Sequence, residues 1–97
     1  MKSLSILICT HNRVELLKRT IDFLNHIARP DHYEISLFVA ANACTDSTHQ
    51  YLANYQQASK ANELPLTWIE EPTPGKSNAL NRAIPKLTAE VIAMVDD

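Results

Sequence analysis

Glycine is almost missing from this chain: Gly75 is the only one among 97 residues. A dinucleotide fingerprint of the G-x-G-x-x-G kind needs glycines directly after the first strand, and residues 9–13 hold none, so that site is excluded. The same shortage bears on Pro74-Gly75-Lys76-Ser77, which contains the GKS that closes a Walker A loop. Such a loop needs another glycine five residues earlier, where Glu70 stands with Glu71 after it, and two carboxylates would oppose a triphosphate. Cysteine is scarce too. Cys9 and Cys44 are too few for a disulfide framework and form no C-x-x-C pair, so they read as reduced thiols of a cytoplasmic protein. His11, His26, His32 and His49 show no metal-binding spacing, and the last three read as surface residues. Net charge is only −2, with acids and bases interspersed, so nothing points to nucleic acid. No apolar run approaches the ~18 residues of a membrane span, so this segment is not expected to insert directly. The apolar start, residues 1–9, lacks a small-residue cleavage site and runs straight into polar residues, unlike a secretion signal.

What is present is a hydrophobic content of 45%, ordinary for one small globular domain over residues 1–97. Residues 4–10 form an apolar run that breaks into Thr10, His11, Asn12 and Arg13, which reads as a buried strand ending at a loop. Asn12 is placed to cap the next helix, with Glu15 three residues on completing a capping box. That helix is expected over 13–28, with Leu16, Leu17, Ile21, Leu24, Ile27 and Ala28 on its apolar face. Arg29-Pro30-Asp31 ends it. Further strands are expected at 34–41, 66–70 and 91–95, and further helices at 47–58, capped by Asp46, and at 76–87, where Pro85 should force a kink or an early stop.

Strands alternating with helices of ten to fifteen residues predict an α/β fold: a parallel sheet of about four strands, Rossmann-like, with helices on both faces. In such folds ligands bind beyond the carboxyl ends of the strands, where strand order reverses. The polar clusters fall at those ends: residues 10–13, 42–46 and Asp96-Asp97. The first and last strands should lie side by side, so that their polar ends make one site. A phospho-acceptor domain of the receiver type would want acids at the first strand's end, where this chain has His11, Asn12 and Arg13. Carboxylates at a buried strand's end are costly unless paired or metal-bound. Mg²⁺ or Mn²⁺ suits them, because such an ion bridges one or two carboxylates to the oxygens of a diphosphate.

Four segments, taken in order, carry a resemblance. Residues 5–13 (SILICTHNR) look like an opening strand with a T-x-N-R-like turn, and residues 42–48 (NACTDST) like a D-N-x-S-x-D-x-T loop. Residues 75–84 (GKSNALNRAI) are similar to a G-x-S-x-A-x-N-x-G-I helix, and Val95-Asp96-Asp97 to the start of a D-x-D motif. The chain thus resembles the donor-nucleotide-binding, N-terminal half of family-2 glycosyltransferases of the GT-A fold. That resemblance implies transfer of a sugar from a nucleotide-diphosphate sugar to a polysaccharide, lipid or protein-glycan acceptor. It implies donor contacts from Thr10, His11, Asn12, Arg13, Asn42, Lys76, Asn81 and Asp96, and a Mg²⁺ or Mn²⁺ ion held by Asp96 and Asp97.

Two departures qualify it. The family usually carries an Asp, associated with recognising the base, where this chain has Ala41, which leaves UDP as a default nucleotide. The last D-x-D carboxylate would lie one residue beyond Asp97. So would the acceptor-binding half and the catalytic base, an Asp or Glu that would deprotonate the acceptor hydroxyl. The chain therefore reads as a donor-binding half, with weak nucleotide binding and no turnover by itself. The alternative is a non-catalytic α/β fragment that binds a nucleotide or a partner through the same strand ends.

Overall fold

The computed structural model describes residues 2–27, 29–58 and 62–96. Strands and helices alternate: β1 (Lys2–Thr10), α1 (Val14–His26), β2 (Tyr33–Asn42), α2 (Thr48–Ala58), β3 (Leu66–Glu71), α3 (Lys76–Ala83) and β4 (Val91–Asp96). All strand pairs are parallel, in the order β3-β2-β1-β4. β1 is thus flanked by β2 and β4, and Cys9 pairs with Ala40 on one side and Asp96 on the other. The chain winds one way from β1 through β2 to β3, then returns across the sheet to β4. The reversal lies between β1 and β4, so their carboxyl ends open on the crevice where this architecture places ligands.

Strand alternation divides the core. Ile6, Ile8, Leu37, Val39 and Ala41 face α1 and α2, which bury Leu17, Ile21, Leu24 and Leu52 against them. Full burial of such aliphatic side chains contributes about 1.5–3 kcal/mol each. The opposite face is thinner: Leu7, Phe38 and Ala40 meet Ala79 and Ala83, small residues that let α3 sit close to the sheet. Toward β4 that cover runs out, leaving Ile92 and Met94 exposed.

Several local expectations need correction. α1 is not capped by Asn12 in a box with Glu15. Its N-cap is Arg13, with no side-chain cap bond, and Glu15 pairs with Lys18 instead. Leu16 and Ile27 are off the buried stripe, 44% and 42% exposed. Leu16 is rotated about 100° from Leu17 on the helix, and Ile27 has left the helix for extended backbone. Ala28, assigned to the same face, lies outside the described residues. α3 stops at Ala83 and tightens into a 3-10 turn, Ile84–Lys86, as Pro85 demands. His49 is no plain surface residue: α2 packs on β3, and its ring stacks on Trp68 with centroids 5.4 Å apart.

Candidate functional site

A pocket of about 420 Å³ lies at the reversal. Cys9, Thr10, His11 and Arg13 line it from the end of β1, Asn42 from β2, Gly75 and Lys76 from the start of α3, and Asp96 from β4. Of the residues expected to bind a donor, the fold gathers Thr10, His11, Arg13, Asn42, Lys76 and Asp96 around this space. Asn12 and Asn81 do not line it. Asp97, expected beside a metal, lies outside the described residues.

Each wall has a local cause. Asn42, buried at the end of β2, holds the β3–α3 loop through its side-chain amide. Its Nδ2 donates to the carbonyls of Glu71 (3.1 Å) and Thr73 (2.8 Å), and its Oδ1 accepts the N–H of Gly75 at 2.9 Å. The Asn42 side chain therefore sets where α3 begins, and its backbone carbonyl accepts from His11 Nδ1 at 2.6 Å. Gly75 adopts φ 125°, a conformation open to glycine, and a Cβ there would meet Asn78 Nδ2 at 3.2 Å. Within the same loop the Thr73 N–H, donating to Glu71 at 2.9 Å, leads the interactions that hold that carboxyl below its ordinary range.

The loops after β1 and β2 brace each other. Asn12, in the left-handed region at φ 49°, turns its Oδ1 to the backbone N–H groups of Thr45 (2.6 Å) and Asp46 (3.2 Å). Asp46 reciprocates by accepting the N–H of Val14, the first residue of α1, at 3.2 Å. Its other oxygen takes the N–H and the hydroxyl of Thr48 at the start of α2. Burial works to raise the Asp46 pKa, but these hydrogen bonds outweigh it and hold the carboxyl below its usual value. One carboxylate thus anchors the starts of two helices, favoured there by the helix dipoles. Asp46 as a cap was legible in the sequence; its reach across to α1 was not.

The fourth side is looser. Lys76 Nζ lies 3.2 Å from Asp96 Oδ1, with the two side chains 58% and 91% exposed. Among the described residues no three His, Cys, Asp or Glu side chains converge on a common point. Asp96 fits a divalent ion as a single carboxylate ligand, the other positions being left to ligand oxygens. The reading from sequence passed over Gly75 and Cys9 as lining residues. The signal for Gly75 was its being the lone glycine at a strand-to-helix junction.

The family model described as Glycosyl transferase family 2 matches residues 5–97. No curated protein sequence matches the chain. Among solved structures, the mannosyltransferase PcManGT from Pyrobaculum calidifontis, in complex with GDP-Man and Mn²⁺, superposes with a TM-score of 0.80 at 26% identity. The match covers 96% of this chain and 26% of that one. TarS from S. aureus (residues 1–349) in complex with UDP-GlcNAc gives a TM-score of 0.74 at 25% identity, covering 99% of this chain and 26% of that one. The same TarS segment with UDP gives 0.75 at 26% identity, with coverages of 99% and 27%. The chain spans about a quarter of the length of these structures, and its parallel sheet with flanking helices matches their GT-A fold.

Proposed function

The chain belongs to glycosyl transferase family 2, and from that premise we propose that it is the donor-binding part of an enzyme moving a sugar from a nucleotide-diphosphate sugar to an acceptor hydroxyl on a polysaccharide, lipid or protein glycan. The observation that carries this reading is the pocket between β1 and β4, where two cations, Arg13 and Lys76, meet one carboxylate, Asp96. Arg13 offers a planar guanidinium and Lys76 a mobile point charge, both suited to the oxygens of a diphosphate. A divalent ion on Asp96, with Asp97 as the second assigned ligand, would supply charge neutralisation to the departing diphosphate. Thr10 and His11 are assigned to the nucleotide, with the loop after β2 toward the base. Asn42 acts by holding Gly75 and so aiming Lys76. Asn12 serves the site by bracing the second loop, and Asn81 is assigned to the donor side from α3. The acceptor site and the catalytic base belong to the remainder of such an enzyme, working on the cytoplasmic side.

The solved relatives support a nucleotide-sugar ligand, and because one carries GDP-Man and another UDP-GlcNAc, they leave the base open. UDP is the default. The test is a ¹⁵N NMR titration of the chain with UDP, GDP and CDP, each with and without Mg²⁺. Saturable, metal-strengthened shifts at residues 10–13, 76 and 96 are expected. A folded chain that shows no shifts there with any nucleotide overturns the reading.

A further inference from the structure

His11 reaches the pocket with one ring nitrogen already committed. Its Nδ1 lies 2.6 Å from the carbonyl oxygen of Asn42, which accepts hydrogen bonds and has no proton to give. Nδ1 must therefore carry the proton, and the neutral ring has a bare Nε2. That carbonyl is a firm anchor: Asn42 is 6% exposed, its side chain is held by three backbone groups, and its strand neighbour Ala41 is in register with Glu70. His11 is among the residues lining the pocket, and the hydrogen bond at Asn42 engages its Nδ1, not its Nε2. Its surroundings are rich in donors. Arg13 and Lys76 donate only, and the carboxylate of Asp96 is engaged by Lys76.

We propose that His11 is a specificity-determining residue that offers Nε2 as a hydrogen-bond acceptor to an N–H or O–H group of the bound nucleotide. This rests on the donor-site reading above. Two groups of a nucleoside diphosphate have that chemistry: an imino N–H of the base, as in uracil, and a ribose hydroxyl. An imidazole with its proton on Nδ1 rewards either and gives nothing to a bare ring nitrogen or a methylated position.

The test has two arms on the 97-residue chain. Long-range ¹H–¹⁵N correlation of the His11 ring, at a pH where it is neutral, should show the proton on Nδ1. Addition of UDP should then shift Nε2 toward the hydrogen-bonded range. In the second arm, binding of UDP, 3-methyl-UDP, 2′-deoxy-UDP and 3′-deoxy-UDP is measured for the parent chain, His11→Gln and His11→Phe. His11→Phe should lose about three- to tenfold in UDP affinity, the weight of one such hydrogen bond. His11→Gln, which keeps an acceptor at similar reach, should retain most of it. Whichever analogue lacks the contacted group should be bound equally by parent and Phe variant, and so identify the base or the ribose as the partner. A proton found on Nε2, or UDP binding unchanged in His11→Phe, overturns the proposal while the donor site stands. Failure of the parent chain to bind UDP or GDP at all overturns the donor site and this proposal together.

Discussion

The two flanks of the pocket are built on different principles. On the side of β1 and β2, polar side chains are committed to backbone: Asn12 holds the second loop, Asp46 holds the starts of both helices, and Asn42 holds the third loop. On the side of β4, one exposed ion pair joins Lys76 to Asp96 beside a strand in which Val91, Ile92 and Met94 lie open. A pair this exposed contributes about 0–1 kcal/mol and yields readily. The contrast suits a site with one pre-formed wall and one adjustable charge: the braced loops fix geometry, and the loose pair can exchange partners when a diphosphate arrives.

The sharpest way to break the contrast is Asn42→Ala. It strips three backbone groups of their partner and should cost about 2–3 kcal/mol in urea unfolding, because unmade hydrogen bonds in poorly hydrated places are expensive. Asp46→Ala should cost about 1–2 kcal/mol, the loss of a cap felt at two helices. The pH dependence carries a definite sign. The folded-state pKa of Asp46 is depressed from 3.8, so its contribution is complete above that value and fades as pH falls through the lower folded-state pKa. The stability gap between the parent and Asp46→Asn should therefore close on acidification, measured as urea midpoints from pH 6 downward. Ala43, held at φ 47° by its N–H bond to the Glu71 carbonyl, should run the other way. Ala43→Gly relieves left-handed strain and should gain about 0.5–1 kcal/mol, net of the extra freedom glycine has when unfolded. Lys76→Gln should move stability least, by less than about 0.5 kcal/mol, yet weaken UDP binding several-fold by calorimetry. A large stability loss from Lys76→Gln, or none from Asn42→Ala, would reverse the assignment of rigid and loose flanks.

Much of this molecule is written in local pattern. The alternation of elements, the parallel sheet and the gathering of polar residues at strand ends follow from period and order, and the adjacency of β1 and β4 is suggested by the likeness of the two strands, each an apolar run ending in polar residues. What the local pattern misses is partnership across thirty residues. Asn12 has the side chain of a helix cap and reads as one, because a capping rule sees only the next few residues. It turns instead to Thr45 and Asp46, which the parallel pairing of β1 with β2 brings alongside. Asn42 likewise reads as a ligand contact by its position, while its amide is committed to a loop some thirty residues on. Leu16 and Ile27 show a second limit, since apolar residues at a helix margin are not separated from its buried stripe by composition alone.

The chain's single tryptophan gives the molecule a built-in optical gauge. Trp68 sits on β3, stacked on His49 of α2 and donating its indole N–H to Gln56 Oε1 at 3.2 Å, and it is not among the residues lining the pocket. Its emission therefore reads the seating of α2 on the sheet rather than occupancy of the site. In one cuvette, then, unfolding can be followed at Trp68 while nucleotide is followed by other means, and the two signals stay separable.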